Sequence, residues 1–142
     1  MNWKNIGISL VAAGIVGLIV SQIVYALLAT ACPAIVEEYK SGLFRPWNDP
    51  LMSYVFVHPF VVGFLMAVVF DCVRSSFKQE AFWKKGLFFG FLVWLVSTVP
   101  GMLMTLSSFN VSYQLVSIWT VNGLVNLIVA GIVISWVYHK WK

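Results

Sequence analysis

Four long apolar runs, interrupted only by isolated polar residues, make up most of the chain, and short polar stretches separate them. The runs cover residues 6–29, 51–73, 86–106 and 114–138. Each is long enough to cross a hydrocarbon core about 30 Å thick, which takes about 20 helical residues. Helix is the regular structure they support, because unpaired backbone groups in lipid cost several kcal/mol each. Membrane strands would alternate apolar and polar positions over about ten residues, and no run does so. The pattern predicts an all-α membrane protein: a single integral domain over 1–142, folded as a four-transmembrane-helix bundle.

Composition excludes a soluble alternative. Of 142 residues, 61% are hydrophobic and 10% charged, whereas about a quarter are charged in soluble domains. The first run has no small-residue cleavage site behind it and reads as a retained span rather than a signal peptide. The net charge of +4 follows topology rather than a nucleic-acid footprint, so the expected partner is the lipid bilayer and not nucleic acid. Lys4, Arg74, Lys78, Lys84, Lys85, Lys140 and Lys142 fall on one side of the predicted membrane, Lys40 and Arg45 on the other. This bias places both termini and the 74–85 loop in the cytoplasm, with the loops 30–50 and 107–113 outside. Trp3, Phe82, Trp83, Trp136, Tyr138 and Trp141 mark the inner interface, and Trp47, Tyr54 and Tyr113 the outer one.

The extracytoplasmic loop 30–50 is the one sizeable polar piece. Its stretch from Pro33 to Gly42 reads as a short helix with Pro near its start and Gly at its stop. Val36 and Tyr39 are expected against the membrane, with Glu37, Glu38 and Lys40 toward water. Such a segment serves as a lid or spacer, or as a gate for a substrate. Cys32 and Cys72 end up on opposite sides of the bilayer, too far apart for a disulfide, which needs Cα atoms within about 7 Å. His58 and His139 are separated in the same way, so one chain offers no pair of axial haem ligands. Only two copies of His58 across a dimer axis would. No histidine–carboxylate grouping has metal-ligand spacing, and no cofactor is expected.

Small residues recur at helical spacing in every span: Ala13 and Gly17, then Gly63 and Ala67, Gly86 and Gly90, and Gly123 and Gly131. Close backbone approach through such residues drives helix association in lipid. They serve packing within the bundle or between copies and partner proteins. A polar layer accompanies them in the outer half. Counting 1.5 Å per residue puts Gln22 and His58 roughly 10 Å below the outer boundary, Ser97 and Thr98 about 12–14 Å, Asn122 about 12 Å and Asn126 nearer the centre. Pro59 and Pro100 lie at the same level and each frees a carbonyl. Two readings of Gln22, His58, Ser97, Thr98, Asn122 and Asn126 stand: polar glue that fixes helix register, or a small outward-opening intramembrane pocket. His58 lies nearly opposite Gly63 and Ala67 on a straight helix, so it faces either a redirected interior or a neighbouring molecule. Asp71, with Arg74 at i+3, reads as an ion pair at the inner interface.

No nucleophile–base pair, phosphate-cradling loop or paired carboxylates can be picked out, and a catalytic role is not expected. The segments Asn2-Trp3-Lys4, Lys85-GLFFG-Phe91 and Trp119-TVNGLVNLIVAG-Ile132 resemble a broad group of small four-span bacterial inner-membrane proteins. The resemblance implies a four-helix fold and a multi-pass location in the bacterial inner membrane, and it implies no activity. The expectation is a non-enzymatic interaction or accessory protein, or a homo-oligomer. The alternative is a small transporter or binding protein for a neutral or lipid-like molecule.

Overall fold

A computed structural model describes residues 1–40, 42–78 and 81–141; Ser41, and Lys142 among the seven basic residues of one side, lie outside them. The chain forms α1 (Trp3–Ala31), α2 (Pro33–Tyr39), α3 (Tyr54–Val73), α4 (Phe82–Ser108) and α5 (Tyr113–Lys140). One 3-10 turn over Pro50–Ser53 leads into α3, and another over Arg74–Ser76 follows it. No strand occurs among the described residues. Four helices are long and apolar enough to cross a membrane. α1, α4 and α5 outrun their apolar runs by a few residues, while the first residues of the second run form the 3-10 turn ahead of α3. The Asn2 side chain accepts the Asn5 N–H at 3.1 Å and starts α1. Asp49 accepts the Leu51 N–H at 2.9 Å ahead of α3, and Ser112 accepts the Leu115 N–H at 3.1 Å ahead of α5. Each cap satisfies a donor that the first turn leaves free.

The helices associate through two seams of small residues. α4 runs closely along α5, and α1 packs beside both α3 and α5, while α3 and α5 meet over a short stretch. A Cβ added to Gly86 would stand 2.5 Å from the Ile132 Cα, and one on Gly90 2.7 Å from the Ile128 Cα. Gly131 faces the Gly90 Cα at 3.1 Å, and Gly123 receives the Thr98 methyl at 3.0 Å. In the α1–α3 seam, Gly63 meets the Ala13 Cβ at 3.2 Å and Gly17 the Pro59 Cβ at 3.3 Å. Ala13 and Ala67 are buried. All eight small residues therefore lie in contacts within one chain or in its core.

The main core lies at the end of the bundle that carries the chain termini, here called the terminal end. Phe70 is at its centre, with ring centroids of Phe89 at 5.1 Å, Tyr138 at 5.4 Å and Phe77 at 6.2 Å. Ile6, Met66 and Ile134 complete it. Tyr138 departs from its expected interfacial place: at 5% exposure it belongs to the core. Its position on α5, four residues beyond fully buried Ile134, turns it inward. Trp3, Trp83, Trp47, Tyr54 and Tyr113 remain exposed at the two ends. α3 and α4 continue as helices through Pro59 and Pro100.

Candidate functional site

The polar residues of the predicted intramembrane layer do not converge on one point. Asn126 and Asn122 form the inward part: the Asn126 amide donates to the Asn122 side-chain oxygen at 2.7 Å and to its carbonyl at 3.0 Å. Ser21, on α1, donates to the Asn126 oxygen at 3.2 Å and ties α1 to α5. Interhelical bonds of this kind contribute about 0.6–2 kcal/mol. Thr98 is occupied by packing on Gly123. Ser97 is exposed and donates back to the Val93 carbonyl at 2.6 Å, within its own helix. Gln22 is exposed beside a shallow groove lined by Leu18, Ile19, Ile23 and Phe56. His58 is exposed as well. The reason is rotational: Pro59 and Gly63 meet α1, and His58 lies well away from that face of α3. Neither Gln22 nor His58 has a hydrogen-bond partner among the described residues.

The segment between α1 and α3 is a docked clamp rather than a freely solvated spacer. Glu38, expected to face water, instead accepts the Ser112 N–H at 2.7 Å and the Ser112 hydroxyl at 2.6 Å. The free donors at the start of α5 draw a carboxylate toward the positive end of that helix. The Trp119 indole donates to the Tyr39 hydroxyl at 2.6 Å, and Phe44 stands edge-on to Trp119 with centroids 6.0 Å apart. Ile35, not Val36, is the buried aliphatic residue of α2. Burial raises the Tyr39 pKa, against the Trp119 hydrogen bond, which lowers it. In the same loop, Arg45 reaches Asp49 at 2.8 Å and, with the Leu51 N–H, holds that carboxyl below the usual range.

A second polar cluster, missed in the sequence, closes the terminal end. Asp71 accepts the Asn2 N–H at 3.0 Å. Its other oxygen faces the Arg74 Nε at 3.4 Å, the expected ion pair, and the Met1 amine is 3.9 Å away. The Asn5 amide donates to the Trp141 carbonyl at 2.8 Å, so the two ends of the chain meet. The Arg74 guanidinium also lies over the Tyr138 ring, 5.0 Å from its centroid. Asn5 and Ser9 are buried, and Asn5 Oδ1 and Ser9 Oγ have no hydrogen-bond partner among the described residues, while the Tyr138 hydroxyl lies against the Asp71 carboxylate. A signal for this cluster was present: Asn5 and Ser9 extend the i, i+4 line of Ala13, Gly17 and Ser21 toward the start of α1. Among the described residues no three His, Cys, Asp or Glu side chains gather as a metal site requires.

Fold and polar arrangement together define a multi-pass, all-α membrane protein. No family model, no curated protein and no solved structure matches this chain.

Proposed function

We propose that this is a non-enzymatic protein of the bacterial inner membrane, with both termini in the cytoplasm, that works by lateral contact with a second protein chain in the bilayer. The second chain is another copy of itself or a larger membrane protein to which it is an accessory. The observation that carries this reading is the outward-facing His58, a polar ring with no hydrogen-bond partner among the described residues, on the surface of a helix long and apolar enough to span a membrane. Polar groups in that setting are costly and find protein partners. The small-residue seams are already used inside the chain, which leaves His58, and Gln22 on another face, as the groups a neighbour would satisfy. The alternative, an outer polar pocket for a small molecule, fits less well because Gln22, His58 and Ser97 do not meet Asn122 and Asn126.

The test is intact-mass measurement after gentle extraction from native membranes. The expected result is a complex heavier than the 15.9 kDa chain, reduced toward the single chain by His58→Leu. A single chain with no companion, before and after the substitution, overturns the reading.

A further inference from the structure

At the terminal end a half-open cavity of about 420 Å³ lies between the end of α3, the start of α4 and the end of α5. Arg74, Lys85, Ser135, Tyr138, His139 and Phe82 line it. We propose that this cavity binds the phosphate of an anionic glycerophospholipid, independently of the assembly reading above.

Four features favour a phosphate. Lys85 has no ion-pair partner among the described residues, and Arg74 shares Asp71 with the start of the chain. Among the described residues no acid lines the cavity. α4 begins without a side-chain cap and without an acidic residue in its first turn. Lysines in a first turn oppose the helix dipole, and an anion at that terminus relieves both. Finally, the Ser135 hydroxyl, on a residue 2% exposed, makes no hydrogen bond among the described residues. It is a donor suited to a phosphate oxygen.

The surroundings favour a lipid source. The cavity is at the end of a spanning bundle, where basic pockets between helices take anionic headgroups. Leu92 and Val96 continue the face of Lys85 along α4 at i+7 and i+11, and both are exposed, Val96 at 72%. α3 and α4 make sparse contact beyond the aromatic cluster, so an apolar track for acyl chains leads away from the charged cavity.

The test uses the full chain in mild detergent with equimolar phosphatidylglycerol and phosphatidylcholine of matched chain length, and native mass spectrometry counts the lipid retained. Phosphatidylglycerol is expected to dominate. Lys85→Ala should lower that preference about fivefold, the effect of one lysine near an anionic surface, and Lys85→Arg should restore it. Lys140→Ala removes a charge held over the Trp136 and Trp141 rings and should change the preference less than about twofold. Equal retention of the two lipids by the unaltered protein overturns the proposal. So does an equal effect of the Lys85 and Lys140 substitutions, which would report general surface charge. Loss of the preference on adding equimolar glycerol 3-phosphate would assign the cavity to a soluble phosphate compound and overturn the lipid source. Ser135→Ala, which leaves the charge unchanged, should also weaken retention, and it decides the matter should Lys85→Ala fail to fold.

Discussion

Glu38 accepts both the backbone N–H and the hydroxyl of Ser112, at 2.7 and 2.6 Å, and so joins α2 to the first turn of α5. Hydrogen bonds to a charged group contribute about 1.5–3 kcal/mol, and an acid at a helix N-terminus adds a few tenths to 1 kcal/mol. Glu38→Ala is expected to destabilise the protein by about 1–3 kcal/mol. Ser112→Ala should cost about 1 kcal/mol through the lost cap. The double variant should lose less than the two losses combined, since the partners share bonds. Denaturant titration in detergent measures all three.

Tyr39 gives the same clamp a response to alkali. Its pKa is raised chiefly by burial, so the folded state favours the neutral phenol. The associated stability is complete below the ordinary tyrosine value of about 10 and is lost as pH rises through the higher folded value. Above about pH 10 the clamp around Tyr39 is therefore expected to open to water, because the burial cost of the phenolate outweighs the Trp119 hydrogen bond that favours it, with a red shift of Trp119 emission. Tyr39→Phe should remove that part of the shift. It should also cost about 1 kcal/mol at neutral pH, because the Trp119 N–H loses its acceptor. An unchanged alkaline emission profile in the variant would contradict this assignment.

How much of this was legible varies by residue. The four helices followed from run length and the lack of apolar/polar alternation, because lipid admits only helices and closed barrels. Helical spacing alone also put His58 nearly opposite Gly63 and Ala67, and the exposed ring follows from that geometry. What spacing did not carry was neighbour choice. That Asn2 would meet Asp71, or Asn5 the Trp141 carbonyl, depends on which helices stand side by side at the terminal end. Glu38 was misplaced for a related reason: a short amphipathic pattern does not say that a free helix start lies within reach. Ser21 continues the Ala13 and Gly17 line at i+4, yet its hydroxyl supplies the bond from α1 to the Asn126 layer.

The α4–α5 seam predicts a sharp contrast between glycines on one helix. An added methyl at Gly86 would meet the Ile132 backbone at 2.5 Å, while Gly101 has nothing within 4 Å. Backbone cannot swing aside as a side chain does, so Gly86→Ala forces α4 from α5. The expected loss is about 1–3 kcal/mol or more. Gly101→Ala is expected to stabilise by up to about 1 kcal/mol through helix propensity. Thermal unfolding of the two variants side by side checks the contrast, and equal effects would contradict the close approach.

Asn126 offers the clearest decision on the purpose of the intramembrane polar layer. Its amide is bonded to Asn122 and its oxygen to Ser21, so its bonding is internal and local. If its role is to hold α1 in register with α5, Asn126→Leu should cost about 0.6–2 kcal/mol. The protein should remain folded, and the assembly proposed to depend on His58 should stay intact. The leucine keeps the branched outline but is larger, so the measured loss includes packing at the α1–α5 contact beside the lost hydrogen bonds. Ser21→Ala should show a smaller loss, and adding it to Asn126→Leu should cost little more, because the bond is already gone. A loss of assembly or of a bound molecule with no loss of stability would instead make this layer a binding site.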